Sequence, residues 1–284
     1  MNRKSVVTFA VAVLAIAAIA DGLASRNIVG WATKDLQKNG NAMCAYFFNV
    51  NSAKEDGSVS LKLSDLTVTG YEGNYCAGKL SLQILDGLGR ATSNYLWWEG
   101  VAGGKEEAGW YSAKDANAKR VCAENDNDVT FTQGDGLWVM CQDPALKIKS
   151  SGEVFMDDVC FKLRKNFQMI GNPYATTIKL SQITVSGYAD NYCAGKVSVQ
   201  ILDGLGRAIG NYLWWEGVTG GKEEAGWYSA KDANSKRVCA ENGNDEEFEA
   251  GKGLWVNANV EGLVLTIASP FEDKGDTPVE KTIE

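Results

Sequence analysis

The stretch Leu80-Ser-Leu-Gln-Ile-Leu-Asp-Gly-Leu-Gly-Arg-Ala-Thr-Ser-Asn-Tyr-Leu-Trp-Trp-Glu99 decides the fold. Leu80, Leu82 and Ile84 alternate with Ser81 and Gln83, the two-residue period of a half-buried strand. Asp86-Gly-Leu-Gly89 supplies turn chemistry, with glycines where a positive φ is needed. Asn94 to Glu99 is aromatic and returns, so 80–99 reads as a β-hairpin.

The same text is written twice. Residues 70–139 and 187–256 align without a gap at an offset of 117, and 14 of the 70 positions differ. Upstream, Leu61-Lys-Leu-Ser-Asp-Leu-Thr-Val matches Ile178-Lys-Leu-Ser-Gln-Ile-Thr-Val, and Leu36-Gln-Lys-Asn resembles Leu163-Arg-Lys-Asn. The first copy carries extra polar residues around 49–58, which predicts a longer loop there. So long a period marks two whole domains rather than a solenoid. Further strand candidates are 60–69, 109–113, 128–132 and 137–142. The expected fold is all-β, two tandem antiparallel β-sandwich or jelly-roll-like domains at 25–150 and 151–271. The charged end, 272–284, reads as a disordered acidic tail.

The chain opens with Arg3 and Lys4, an apolar run over 6–20 broken only by Thr8, and small-residue sites at Ala18-Ile-Ala20 and Gly22-Leu-Ala24. These are the parts of a signal peptide, 1–24, and they predict a secreted or cell-surface protein. The run is short for a span of about 20 residues, so no membrane span is expected after cleavage.

Composition narrows the chemistry. The 284 residues include no histidine, so imidazole-based nucleophile pairs and metal ligands are absent. Lys plus Arg number 28 against 36 Asp plus Glu, a net charge of -8 that argues against a nucleic-acid partner. No cofactor is expected, and no metal site.

Gly171-Asn-Pro-Tyr174, followed by a strand and closing with Gly251-Lys-Gly-Leu-Trp-Val256, resembles β-repeats of uncharacterised exported bacterial proteins. The resemblance spans most of 152–269 and implies export and β architecture. The first copy keeps Gly134-Asp-Gly-Leu-Trp-Val139 but has Ala45-Tyr-Phe-Phe48 in place of the first motif.

Each copy carries four matched tryptophans: Trp97, Trp98, Trp110 and Trp138, then Trp214, Trp215, Trp227 and Trp255. Neighbours on a strand face opposite sides, so one indole of each Trp-Trp pair points outward. Tyr95 shares a face with Trp97, and Leu96 with Trp98. The candidate aromatic platform is Tyr95, Trp97, Trp98 and Glu99, with Tyr212, Trp214, Trp215 and Glu216. Such rings stack on sugars, while Glu99 and Asn94 could hold hydroxyls. An outward Trp can instead lie under a loop.

Paired acids Glu106-Glu107 and Glu223-Glu224 sit in glycine-flanked loops, poor places to position a proton donor. Glu124-Asn-Asp-Asn-Asp128 has oxygen-rich spacing but lacks the glycine and distal glutamate of a calcium loop, and reads as a polar turn. Gly87-Leu-Gly89 lies in a hairpin turn, with no helix behind it for a phosphate.

Export permits disulfides. Cys76–Cys122 and Cys193–Cys239 are expected from equal spacing within each copy. Cys44–Cys141 is the preferred third bridge, with Cys141–Cys160 its rival. Cys160 is then the free thiol.

These readings converge on an exported, non-catalytic binding or structural surface protein. Its partner would be a polysaccharide or surface glycan, or itself. The alternatives are an extracellular filament or matrix subunit, held by strand addition, and a secreted carboxylate-dependent glycoside hydrolase.

Overall fold

A computed structural model describes residues 29–35, 40–45, 61–70, 77–85, 90–100, 104–115, 117–131, 136–153, 155–187, 194–202, 207–217, 221–232, 234–271 and 279–282. The duplication in the sequence becomes a duplication of strands. The first copy supplies β1 (Val29–Asp35), β2 (Gly40–Ala45), β3 (Leu61–Lys62), β4 (Thr67–Thr69), β5 (Ala77–Leu85), β6 (Ala91–Glu99), β7 (Ala108–Ser112), β8 (Thr130–Phe131), β9 (Gly136–Cys141) and β10 (Lys147–Glu153). The second answers in the same order with β11 (Val159–Lys162), β12 (Asn166–Gly171), β13 (Ile178–Lys179), β14 (Ile183–Ser186), β15 (Ala194–Leu202), β16 (Ala208–Glu216), β17 (Ala225–Ser229), β18 (Glu247–Phe248), β19 (Gly253–Ala258) and β20 (Val264–Ile267).

The sheets repeat as well. A five-stranded sheet β2-β9-β5-β6-β7 matches β12-β19-β15-β16-β17. A sheet β1-β10-β4 matches β14-β20-β11, and the short pair β3-β8 matches β13-β18. These ladders are antiparallel, as the hairpin signals require. The protein is therefore all-β, with several antiparallel sheets. The predicted hairpin forms from β5 and β6, with Leu82 opposite Tyr95 and Leu85 opposite Ala91.

Alternation decides what is buried. On β9, Leu137, Val139 and Cys141 turn inward, while Gly136, Trp138 and Met140 lie on the other face. In the second copy, one buried cluster draws Val197, Val199, Trp214, Trp227 and Val256 from the five-stranded sheet. It draws Val159, Phe161, Val185, Leu265 and Ile267 from the sheet around β20. The first copy has a matching cluster built on Leu80, Leu82, Trp97, Trp110, Val139 and Val68. Leu80 and Leu82 become Val197 and Val199 in the second copy, a trade of shape inside an apolar layer.

The Gly-Asn-Pro-Tyr motif is structural. Asn172 is fully buried, and its Nδ2 donates to the carbonyls of Thr176 (2.7 Å), Phe248 (3.0 Å) and Glu249 (3.1 Å). Its Oδ1 accepts from the Tyr174 amide at 2.9 Å. The buried Tyr174 ring stacks on Phe155, and its hydroxyl lies 2.9 Å from Asp157 O and 2.8 Å from Ile267 O. One amide thus ties the end of β12 to the end of β18, and the next tyrosine ties it to β20.

Several expectations change. The chain end, read as a disordered tail, carries β21 (Val279–Thr282), which pairs in parallel with β11. β11 is an edge of its antiparallel neighbours, so its open hydrogen-bonding groups accept a further strand. Fifteen residues separate β2 from β3 while six separate β12 from β13, the insertion expected around 49–58; those residues lie outside the described ones. The signal peptide does too.

The disulfides are a correction. Cys122, Cys141, Cys160 and Cys239 are free thiols, so none of the expected bridges forms. Register gives the reason. Cys44 stands opposite Leu137 and Cys141 opposite Gly40, four residues apart along the ladder. That is about 14 Å at about 3.4 Å per residue, and a bridge needs Cα atoms within about 7 Å. Cys76 and Cys193 lie outside the described residues. Ala77, next to Cys76, pairs with Trp98, which pairs with Gly109, and the Val121 amide bonds Trp110 O beyond that. Three strand widths, about 14 Å, therefore separate Ala77 from the strand of Cys122. Cys141 is buried, its Sγ 2.8 Å from Asp143 O, and burial pushes its thiol pKa up.

Candidate functional site

Strand parity assigns each tryptophan. Trp97 and Trp214 face the core, each edge-on to its partner across the ladder, Trp110 or Trp227, at 5.4 and 5.3 Å. Trp110 Nε1 donates to Leu66 O and Trp227 Nε1 to Ile183 O, both at 2.7 Å. Tyr95 and Tyr212 pack against the same clusters. Trp98 and Trp215 are half-buried on the opposite, outward face. The four candidates of each copy are therefore divided between two faces, as strand parity requires. Glu99 and Glu216 follow the core-facing parity, and each keeps one buried carboxylate oxygen, Oε1, without a hydrogen-bond partner among the described residues.

The outward indoles are covered by cations. Lys105 Nζ lies 5.4 Å from the Trp98 ring and 4.8 Å from the Tyr111 ring. Lys222 repeats this over Trp215 and Tyr228 at 5.3 and 4.8 Å. Trp98 also lies near Gly78, and Trp215 near Gly195. Each outward Trp thus sits under its loop, the arrangement that competes with an open sugar platform.

Beside the tyrosines an arginine crosses the ladder. Gly109 faces Trp98 across the ladder. A Cβ there would lie 2.7 Å from Arg120 Cδ, so the missing side chain is the bed on which Arg120 lies. Gly226 and Arg237 repeat it. Arg120 Nε lies 2.7 Å from Glu107 Oε2, and Arg237 Nε 2.6 Å from Glu224 Oε2; these are ion pairs rather than aligned hydrogen bonds. Tyr111 OH donates to Glu107 O and Tyr228 OH to Glu224 O, both at 2.8 Å. Burial pushes both phenol pKa values up. Glu107 and Glu224 are thereby spent on arginine, which leaves the adjacent Glu106 and Glu223 as exposed single acids.

In the second copy these loops enclose an open polar pocket of about 580 Å³. Lys222, Glu223, Tyr228, Asn234, Lys236, Arg237 and Glu241 are among its walls, with Cys239 and Asn242 behind. Asn242 Nδ2 donates to Arg237 O at 2.7 Å and lies 3.1 Å from Cys239 Sγ, which closes the loop on itself, while Val238 N bonds Trp227 O of β17 at 2.8 Å. The first copy has the same residues at 105, 106, 111, 117, 119, 120 and 124, with Ala118 where the second has Ser235.

The oxygen-rich segment at 124–128 has other work. Asp128 accepts from Ser64 N (3.2 Å) and Ser64 Oγ (2.5 Å), capping the turn before β4. Asn127 Oδ1 accepts from Cys122 N, and Asn127 Nδ2 donates to Arg120 O. Asp245 and Ser181 repeat the cap. Among the described residues no group of three or more metal-ligating side chains is gathered. No described helix is long and apolar enough to cross a membrane.

Sequence reasoning missed the pocket's cations, Lys222, Lys236 and Arg237, and the amide Asn234. Their loops meet beside β17, where the Val238 amide bonds Trp227 O as Val121 bonds Trp110 O in the first copy. The one local signal was the glycine before Trp110, a gap beside two large rings. No family model, curated protein or solved structure matches this chain.

Proposed function

We propose that this is an exported, non-catalytic protein of two β-sandwich domains that binds a polysaccharide or surface glycan through the same outward surface on each copy. One observation carries the reading. Between 94 and 125 the copies differ from 211–242 only at 102 and 118, while the other twelve differences of the aligned segment fall outside. That stretch builds the lysine cover of the indole and tyrosine, the arginine–glutamate pair and the pocket. Changes are admitted in the core, at Leu80 and Leu82, and in the turn and strand at 126–135. Two equal sites on one chain raise avidity for a repeating polymer. The buried layer shared by each pair of sheets supports the sandwich, and the apolar segment at 6–20 supports export.

The test is affinity electrophoresis of the mature chain through gels containing dextran, xylan or mixed-linkage β-glucan. Retardation by at least one polymer is expected, and reduced retardation for the Trp98→Ala, Trp215→Ala double variant, which removes the rings that seat Lys105 and Lys222. Free migration through all three would end the proposal. The filament reading gains one observation, the strand β21 added along β11. Size-exclusion chromatography of the chain with and without 272–284 separates the two.

A further inference from the structure

The pocket walls are unequal in how their groups are used. Arg237 spends Nε on Glu224, and neither of its terminal nitrogens has a partner among the described residues. The Lys236 ammonium, the Asn234 side-chain amide and the Glu241 carboxylate line the same pocket and make no bond to any described group. The backbone amide of Asn234 is held by Asp232 at 2.9 Å, so its unspent side chain stands on an ordered turn. Arg120, Lys119, Asn117 and Glu124 repeat this, with the Asn117 amide held by Asp115 at 2.9 Å. Three cations and three carboxylates line the pocket, so no net charge selects a strongly ionic ligand. What remains is a set of free donors beside free acceptors around a tyrosine. Adjacent hydroxyls of a pyranose each donate and accept, and a guanidinium edge can engage two neighbouring oxygens at once.

We infer that the pocket at Arg237–Lys236–Asn234 and the matching surface at Arg120–Lys119–Asn117 each take a neutral sugar unit of a polymer through its vicinal hydroxyls. The inference rests on the proposed glycan binding and gives it a site different from the stacked indoles. Trp98 and Trp215 then act as positioning residues that seat the lysine, without meeting the sugar. Both sites engage one polymer chain together, so losing one weakens binding far more than twofold.

The experiment uses the same gels with the mature chain. The Lys236→Ala, Asn234→Ala variant should bind at least ~10-fold more weakly than the parent, and the variant altered at all four positions, 117, 119, 234 and 236, should migrate freely. These side chains bond no described group, so thermal unfolding should be unchanged. A second arm oxidises the polymer with periodate, which cleaves carbon–carbon bonds between vicinal hydroxyls, and then reduces the aldehydes with borohydride. The parent should lose retardation in that gel. Parent retardation that survives either the four-site change or the oxidised polymer overturns the inference and leaves the glycan reading standing. A parent that migrates freely in every gel overturns both.

Discussion

Asn172 concentrates structural consequence without carrying a charge. Its side chain satisfies three carbonyls and one amide, and an alanine there would leave them without that partner. Each orphaned buried group costs about 1–3 kcal/mol. Partial relaxation leaves an expected loss of about 3 kcal/mol for Asn172→Ala, read from the urea midpoint. A change below about 1 kcal/mol would show that the clamp is dispensable. The cysteines are a second prediction at this scale. Without reductant, iodoacetamide should label Cys160 and Cys239 in the folded protein, since both are half-buried, while Cys141 resists until denaturant is added. Recovery of any of the three in a disulfide-linked peptide would contradict the structure. Asp126 offers a third. It holds φ 53° where the second copy has Gly243 at 63°. Asp126→Gly should therefore stabilise slightly, by up to about 1 kcal/mol, because a Cβ is disfavoured in that region.

Among the elements, β6 and β16 best display how far a sequence reading reaches. Their aromatic run and parity predicted one buried and one outward tryptophan, and that is what forms. Parity could not say which, because the choice depends on which face meets the sheet around β10 or β20. The two strands also differ in one contact. Tyr212 OH donates to Glu246 Oε1 at 2.6 Å, whereas Val129 stands at the matching position in the first copy. Burial first, and then the glutamate, push the Tyr212 phenol pKa well up. The unfolded phenol titrates near 10, so the unfolded chain releases its proton first as pH rises. The stabilisation is whole below about pH 10 and is lost above it. Tyr212→Phe should therefore lose less stability than the parent between about pH 9 and 11, measured by urea midpoints at each pH. An equal loss in both proteins would refute the assignment.

At the scale of the molecule the two copies touch. β2 and β9 lie against β12 and β19, and a Cβ on Gly136 would overlap the Cβ of Met169. Phe167 and Trp255 stack beside that contact at 5.4 Å. The Gly-x-Gly-Leu-Trp-Val motif thus has a packing use, since its second glycine admits the neighbouring sheet. Gly136→Val should separate the copies without unfolding either. Calorimetry should then resolve two transitions where the parent shows one, and an unchanged single transition would mean that the contact carries no coupling.

The sequence by itself determined the all-β class, the hairpin at 80–99, the duplication with its loop insertion, and the facing rule for each Trp-Trp pair. These rest on local rules: a two-residue period, turn chemistry, and identity at one offset. Only the tertiary structure decided the rest. Equal cysteine spacing suggested bridges, but Cys122, Cys141, Cys160 and Cys239 remain free thiols in the folded chain. The glutamates of 106–107 looked like a free pair until Arg120 folded back over Gly109 and took one of them. The pocket draws its walls from two loops about ten residues apart, and the backbone bond that joins them, Val238 N to Trp227 O, follows no sequence period that would announce it.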